Sequence, residues 1–172
     1  KLLDWHFKVR ETRLDVILKN TSNNLKNVID IGGGYGKFGH VLNTRSSEII
    51  YDIIEPDPNV NTIWGDWVND NFNHVNEVKD NFYDLAILCH VLEHVPDPNE
   101  FFSLIKSKIK PKGLIFVDVP YKDYLFKETI DPHITFWNHK SIKNLVIKND
   151  LKLVFIKTVG LSHRACQIMF KN

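Results

Sequence analysis

The stretch NVIDIGGGYGKFGHVL, residues 27–42, decides how this chain is read. An apolar run leads into a glycine cluster and out into a helix-period segment, the layout of a strand, a tight loop and a helix. Two glycine patterns overlap in it. From Gly34, the residues Gly34-Tyr35-Gly36-Lys37-Phe38-Gly39 spell G-x-G-x-x-G, the pattern that cradles a dinucleotide pyrophosphate. From Asp30, the residues Asp30 to Gly36 spell D-x-G-x-G-x-G, an acid followed by alternating glycines.

The two patterns suit different ligands. A dinucleotide loop places its first glycine directly after the strand, and the pyrophosphate sits on the helix N-terminus. Here the strand is expected to end at Ile31, which puts Gly34 two residues late. A carboxylate at Asp30 repels a pyrophosphate and attracts a cation. S-adenosylmethionine, with an α-ammonium, a sulfonium and no phosphate, fits better, and the glycines let backbone approach its methionyl part. Glu55, at the end of the next apolar run, can hold a ribose diol in either ligand.

Working outward, apolar runs alternate with helix-period segments, which predicts a mostly parallel sheet covered by helices on both faces. Strands are expected at 27–31, 48–56, 61–67 (NTIWGDW, the weakest), 83–91 and 113–120, with closing strands at 151–160 and 164–170. A helix follows the glycine loop, and another begins at Asp97 and Pro98, an N-cap acid and a proline suited to the first helical position. Ser141 is expected to cap a helix running to Lys148. The segment 1–26 reads as an amphipathic helix laid against one domain spanning 1–172.

Composition narrows the function classes. The chain has 172 residues, 22 basic and 21 acidic, for a net charge of +1, with no polybasic run. That balance speaks against nucleic acid and anionic membrane as partners. No stretch reaches the ~18 apolar residues of a membrane span, and no secretory leader is visible, so a cytoplasmic protein is expected. Cys89 and Cys166 lie in apolar runs and read as buried thiols. The chain begins at Lys1 rather than Met, so the natural start is expected upstream.

With these residues placed, the chain resembles the class I S-adenosylmethionine-dependent methyltransferases, in the small-molecule branch that includes quinone-ring and sugar methyltransferases. The likeness is carried by VIDIGGGYGKFG, IIEPDP, FYDLAILCHVLEHVPDPNEFF, IKPKGLIFVDVP and HITFWNHKSIKNLV. It implies a Rossmann-like, doubly wound α/β fold: a seven-stranded, mostly parallel sheet with a C-terminal antiparallel hairpin. It also implies roles. Asp30, Gly32, Gly34 and Gly36 would line the methionyl and ribose part, Glu55 would take the ribose hydroxyls, and Pro56 would pack on the adenine. Asp66 and Trp67 would lie at the adenine edge, and Cys89 and His90 would border the methionyl site.

Methyl transfer from a sulfonium requires chiefly an in-line approach, and a base where the acceptor is a hydroxyl. His133, His90 and His94 are the candidates, with His133 favoured because it follows the fifth strand, where the family places acceptor-facing residues. Tyr121, Phe136 and Trp137 are expected near an acceptor pocket, core packing being the competing role. On a helix, His90 and His94 would share a face and form H-x-x-E-H with Glu93, a pattern able to hold zinc, with His133 completing it. The small-RNA 2′-O-methyltransferases are similar here. Yet LEHVPDP recurs in metal-free family members, where Glu93 and His94 fix the turn, so no metal is assigned.

The expected function is therefore transfer of a methyl group from S-adenosylmethionine to a small-molecule acceptor at a hydroxyl oxygen. A nicotinamide oxidoreductase, a metal-assisted RNA 2′-O-methyltransferase and a catalytically inactive methyltransferase-like subunit are the alternatives.

Overall fold

Two apolar runs, NVIDI and YDLAILC, become β1 (Asn27–Ile31) and β4 (Tyr83–Cys89) and pair in parallel at the centre of the sheet. Both are covered on either side, which is why they read as near-continuous hydrophobic runs rather than alternating ones. The computed structural model describes residues 2–21, 25–60, 64–125, 132–159 and 165–172, with side chains from Lys8 onward.

Around this pair the other strands take their places. They are β2 (Ile50–Ile54), β3 (Asp70–Phe72), β5 (Ile109–Pro120), β6 (Lys152–Val159) and β7 (Ala165–Lys171). The sheet has seven strands in the order β3-β2-β1-β4-β5-β7-β6. The first five run parallel, and β7 inserts antiparallel between β5 and β6. The chain leaves β1 to one side for β2 and β3, then returns to the other side for β4 and β5. That reversal opens a crevice at the carboxyl ends of β1 and β4, where ligands of open α/β sheets bind.

Successive side chains of each strand point to opposite faces, so two cores form. Helices α1 (Leu2–Asn20) and α2 (Lys37–Arg45) cover one face, where Leu14 and Ile17 pack with Val28, Leu85 and Phe116. Helices α3 (Pro98–Lys108) and α4 (His139–Lys148) cover the other, where Phe102, Ile105 and Ile142 pack with Ile29, Ala86 and Ile115. Asp97 caps α3 by accepting from the N–H groups of Asn99 and Glu100, with Pro98 at the first turn. No helix among the described residues is long and apolar enough to cross a membrane.

Three expectations change. The third strand is Asp70–Phe72, not 61–67; residues 61–63 lie outside the described residues, and Asp66 and Trp67 form a turn closed by the N–H of Val68 on the carbonyl of Gly65. Pairing with β2, Asp52 to Asp70 through Ile54 to Phe72, makes DNF a strand although its sequence carries no apolar pattern. The cap of α4 is Asn138, which accepts from the N–H groups of Lys140 and Ser141, while the Ser141 hydroxyl accepts from the N–H of Asn138. Ser141 is thus the return half of a capping box. Finally, β5 begins at Ile109: Ile109 pairs with Tyr83 and Leu114 with Leu85, and the turn-forming Lys-Pro-Lys-Gly looped out between them is what reads as a break.

Candidate active site

Gly32, Gly34 and Gly36 have φ of 65°, 52° and 61°, the left-handed region in which a Cβ is strained. Gly33 is held to glycine by space instead. A Cβ there would stand 2.5 Å from Cδ1 of Ile53 and 3.0 Å from Cγ of Asp30. The loop is tied down at its centre: the N–H of Gly34 donates to Glu55 Oε2 at 2.9 Å, and Trp64 Nε1 donates to the carbonyl of Gly34 at 2.9 Å. The second oxygen of Glu55 accepts from the N–H of Asp57 at 3.0 Å, so the carboxylate is oriented from both sides.

Beneath the loop, Asp30 is 2% exposed and accepts from the hydroxyl of Tyr51 at 2.5 Å. Burial pushes its pKa up to about 7, against the opposing pull of the Tyr51 hydrogen bond and the Arg10 guanidinium. The same burial drives the Tyr51 hydroxyl and the Cys89 thiol well above their ordinary values, so both stay protonated. A cleft opens over Asp30, lined by the glycine loop, Cys89, Lys37 and Arg10. One buried acid and a guanidinium therefore face the same space.

Arg10 and its neighbour Arg13 come from α1, a helix to which the sequence reading gave no site residue. Arg13 Nε lies 2.6 Å from Asp118 Oδ2, with side chains 8% and 0% exposed. Its Nη2 lies 3.3 Å from Nε2 of His90. A signal was present: Arg10, Arg13, Leu14 and Ile17 fall at i, i+3, i+4 and i+7, so the arginines share the stripe that buries Leu14 and Ile17.

Past β4 the chain turns at His90, whose φ is 59°, and makes a single 3-10 turn at Leu92–His94. His90 and His94 are therefore not on one α-helical face, and the structure parts them. His90 Nδ1 lies 3.3 Å from Glu93 Oε1, whereas Glu93, His94 and His133 converge, one ligating atom from each within 4.8 Å of the others. The segment bearing His133 is strapped to this turn: the N–H groups of Ile134 and Thr135 donate to the carbonyl of Glu93, and the Thr135 hydroxyl to that of Leu92. His133 Nδ1 is 2.7 Å from Asp123 Oδ2.

The remaining candidates divide. Pro56, two residues past the end of β2, and Asp66 are both exposed. Trp67 lies within van der Waals reach of where a Cβ on Gly39 or Gly65 would stand, and edge-on to His40 at 4.8 Å, so much of its ring serves packing. Trp137 is buried in the α3–α4 core, while Phe136 meets Tyr124 edge-on and Tyr121 stacks near His139.

A protein-family model described as a methyltransferase domain matches residues 6–155. The chain belongs to that methyltransferase-domain family. The sequence expectation of a class I, S-adenosylmethionine-dependent methyltransferase holds at the level of family and fold. Solved structures agree on the fold. A SAM-dependent methyltransferase from Archaeoglobus fulgidus is 18% identical, with 96% of this chain and 94% of that one covered and a TM-score of 0.72. One from Aquifex aeolicus is 14% identical over 91% and 87%, with a TM-score of 0.73. A Haloferax volcanii chain solved in complex with the Trm112 methyltransferase activator is 14% identical over 98% and 94%, with a TM-score of 0.74. No curated protein matches this methyltransferase in sequence.

Proposed function

We propose that this methyltransferase moves the methyl group of S-adenosylmethionine to a hydroxyl oxygen of a small-molecule acceptor such as a sugar. The observation that carries the reading is the cleft at the end of β1, where a buried acid, Asp30, and a guanidinium, Arg10, stand across a loop of left-handed glycines. An α-amino acid head group has the complementary pair of charges. When bound, the cofactor supplies an electrophilic methyl on a sulfonium.

In this reading Asp30 answers the ammonium and Arg10 the carboxylate, while Gly32, Gly34 and Gly36 let the backbone close on the methionyl and ribose part. Glu55 holds the ribose hydroxyls, its carboxylate already aimed by Gly34 and Asp57. Pro56, Asp66 and Trp67 border the adenine, and Cys89 and His90 border the methionyl end. His133 accepts the acceptor's proton, with Asp123 holding the ring at Nδ1 and favouring the imidazolium that forms. His90 and His94 are the other two candidate bases. A hydroxyl acceptor is favoured because a thiolate or neutral amine needs no such pair. The nicotinamide reading is set aside with the family match, and the inactive-subunit reading has no missing cleft residue to support it.

Calorimetry with S-adenosylhomocysteine tests the first half: the chain should bind it, and Asp30→Ala and Glu55→Ala should each weaken binding at least ~10-fold, about 1.4 kcal/mol. No binding by the folded wild type would sink the proposal. Transfer of labelled methyl from S-adenosylmethionine to a panel of sugars and phenols tests the second half. His133→Ala should lower kcat by ~10²-fold or more with cofactor affinity unchanged.

A further inference from the structure

We propose that Glu93, His94 and His133, on the turn after β4 and the segment strapped to it, form a binding site for a divalent transition ion of the zinc type. One ligating atom from each residue lies within 4.8 Å of the others, and two imidazoles with one carboxylate are a donor set that such ions take, with positions left for water or substrate.

The hydrogen bonds around the three residues point the same way. His94 Nδ1 is 3.2 Å from the carbonyl of Pro132, and a carbonyl can only accept, so Nδ1 carries the proton and Nε2 the lone pair. His133 Nδ1 meets the Asp123 carboxylate at 2.7 Å, which gives that ring the same tautomer. Oxygen acceptors that fix the far nitrogen are the usual companions of metal-bound histidines. Glu93 is 1% exposed; its Oε1 lies 3.3 Å from His90 Nδ1, and among the described residues its Oε2 accepts no hydrogen bond. A buried carboxylate oxygen left unpaired is costly, and a cation beside two imidazoles is the partner it lacks. The backbone strap from Ile134 and Thr135 to Glu93 holds the two histidines in register with the acid.

The site requires no assumption about the acceptor. With an ion bound, His133 would be a ligand, and activation of the acceptor, assigned above to its ring, would fall to the ion.

The test is a titration of the chelator-treated full chain with Co²⁺, followed by visible absorption, and with Zn²⁺ by calorimetry. One ion per chain is expected. His94→Ala, at an exposed position, should weaken binding at least ~10-fold, and Asp123→Asn should weaken it by roughly 10–100-fold through the His133 ring. If Glu93→Gln does not fold, these two carry the test. Absence of stoichiometric binding, or equal affinity in wild type and both variants, would overturn the site. Wild-type affinity for S-adenosylhomocysteine, measured alongside without metal, separates failure of this site from failure of the methyltransferase reading.

Discussion

Arg13 on the first helix and Asp118 at the end of β5 form an ion pair of 2.6 Å in which neither side chain is more than 8% exposed. Gln167 adds a hydrogen bond to the same Asp118 oxygen, and the backbone carbonyl of Asp118 receives the N–H of His90. The pair thus joins α1, β5, β7 and the turn after β4 at the rim of the cleft.

Breaking this pair from one side should be severe. Arg13→Met leaves a buried carboxylate uncompensated and should cost about 3–5 kcal/mol, a fall in Tm of roughly 10 °C. The double variant Arg13→Met/Asp118→Leu, which removes both charges, should recover most of that loss. Thermal melts of the three proteins decide it: a single variant as stable as the double would show that the charge is not what matters.

Asp30 should make stability fall with rising pH. Its folded pKa, raised to about 7 by burial, lies above the unfolded carboxylate value of about 3.9. The folded chain therefore holds a proton that the unfolded chain releases, and the associated stability, complete below the unfolded pKa, is lost as pH rises through 7. Asp30→Asn should gain on wild type by roughly 2–3 kcal/mol between pH 5 and pH 8. Urea unfolding at both pH values is the check, and a constant difference would refute the linkage.

Gly33→Ala should strain the site without any change of charge. The new methyl would meet Ile53 at 2.5 Å and Asp30 at 3.0 Å, an overpacking that typically costs about 1–3 kcal/mol. Cδ1 and Cγ1 of Ile53 both stand in the way, so Ile53→Ala should cost less stability in the Gly33→Ala background than in the wild type. Chemical denaturation of the pair reads this directly.

Asn138→Ala removes the side-chain acceptor for two N–H groups at the start of α4. The expected loss is about 1 kcal/mol, or a Tm lower by roughly 2–4 °C, and scanning calorimetry is sensitive enough to see it.

The reach of the sequence follows from what kind of force places each part. Elements set by burial were legible: NVIDI and YDLAILC are strands because both faces are covered, and Asp97-Pro98 starts a helix through local capping. β3 was not, because Asp70, Asn71 and Phe72 become a strand only through partners on β2. At the candidate site, the glycine loop, Asp30 and Glu55 stand out by their spacing, and the structure brings them together around one loop. Gly33 did not, since its constraint is the nearness of Ile53, about twenty residues further along the chain but in direct contact in space. His90 was misplaced by assuming an α-helix where the chain makes a left-handed turn and a 3-10 turn. Arg10 and Arg13 were overlooked because arginines on a helix are usually solvated, and only their sharing a stripe with Leu14 and Ile17 marked them.

The antiparallel β7 sits inside the sheet, between β5 and β6, although it follows both in the chain. Assembly therefore cannot proceed in the order of synthesis. Until residues 165–171 emerge, β5 has an open edge carrying Phe116 and Val117, and β6 has no strand to join. A growing chain exposes this edge until then, which invites chaperone capture and pairing with the wrong chain. In refolding, amide protection of β5 next to β7 and of β6 should arise together, as one late step.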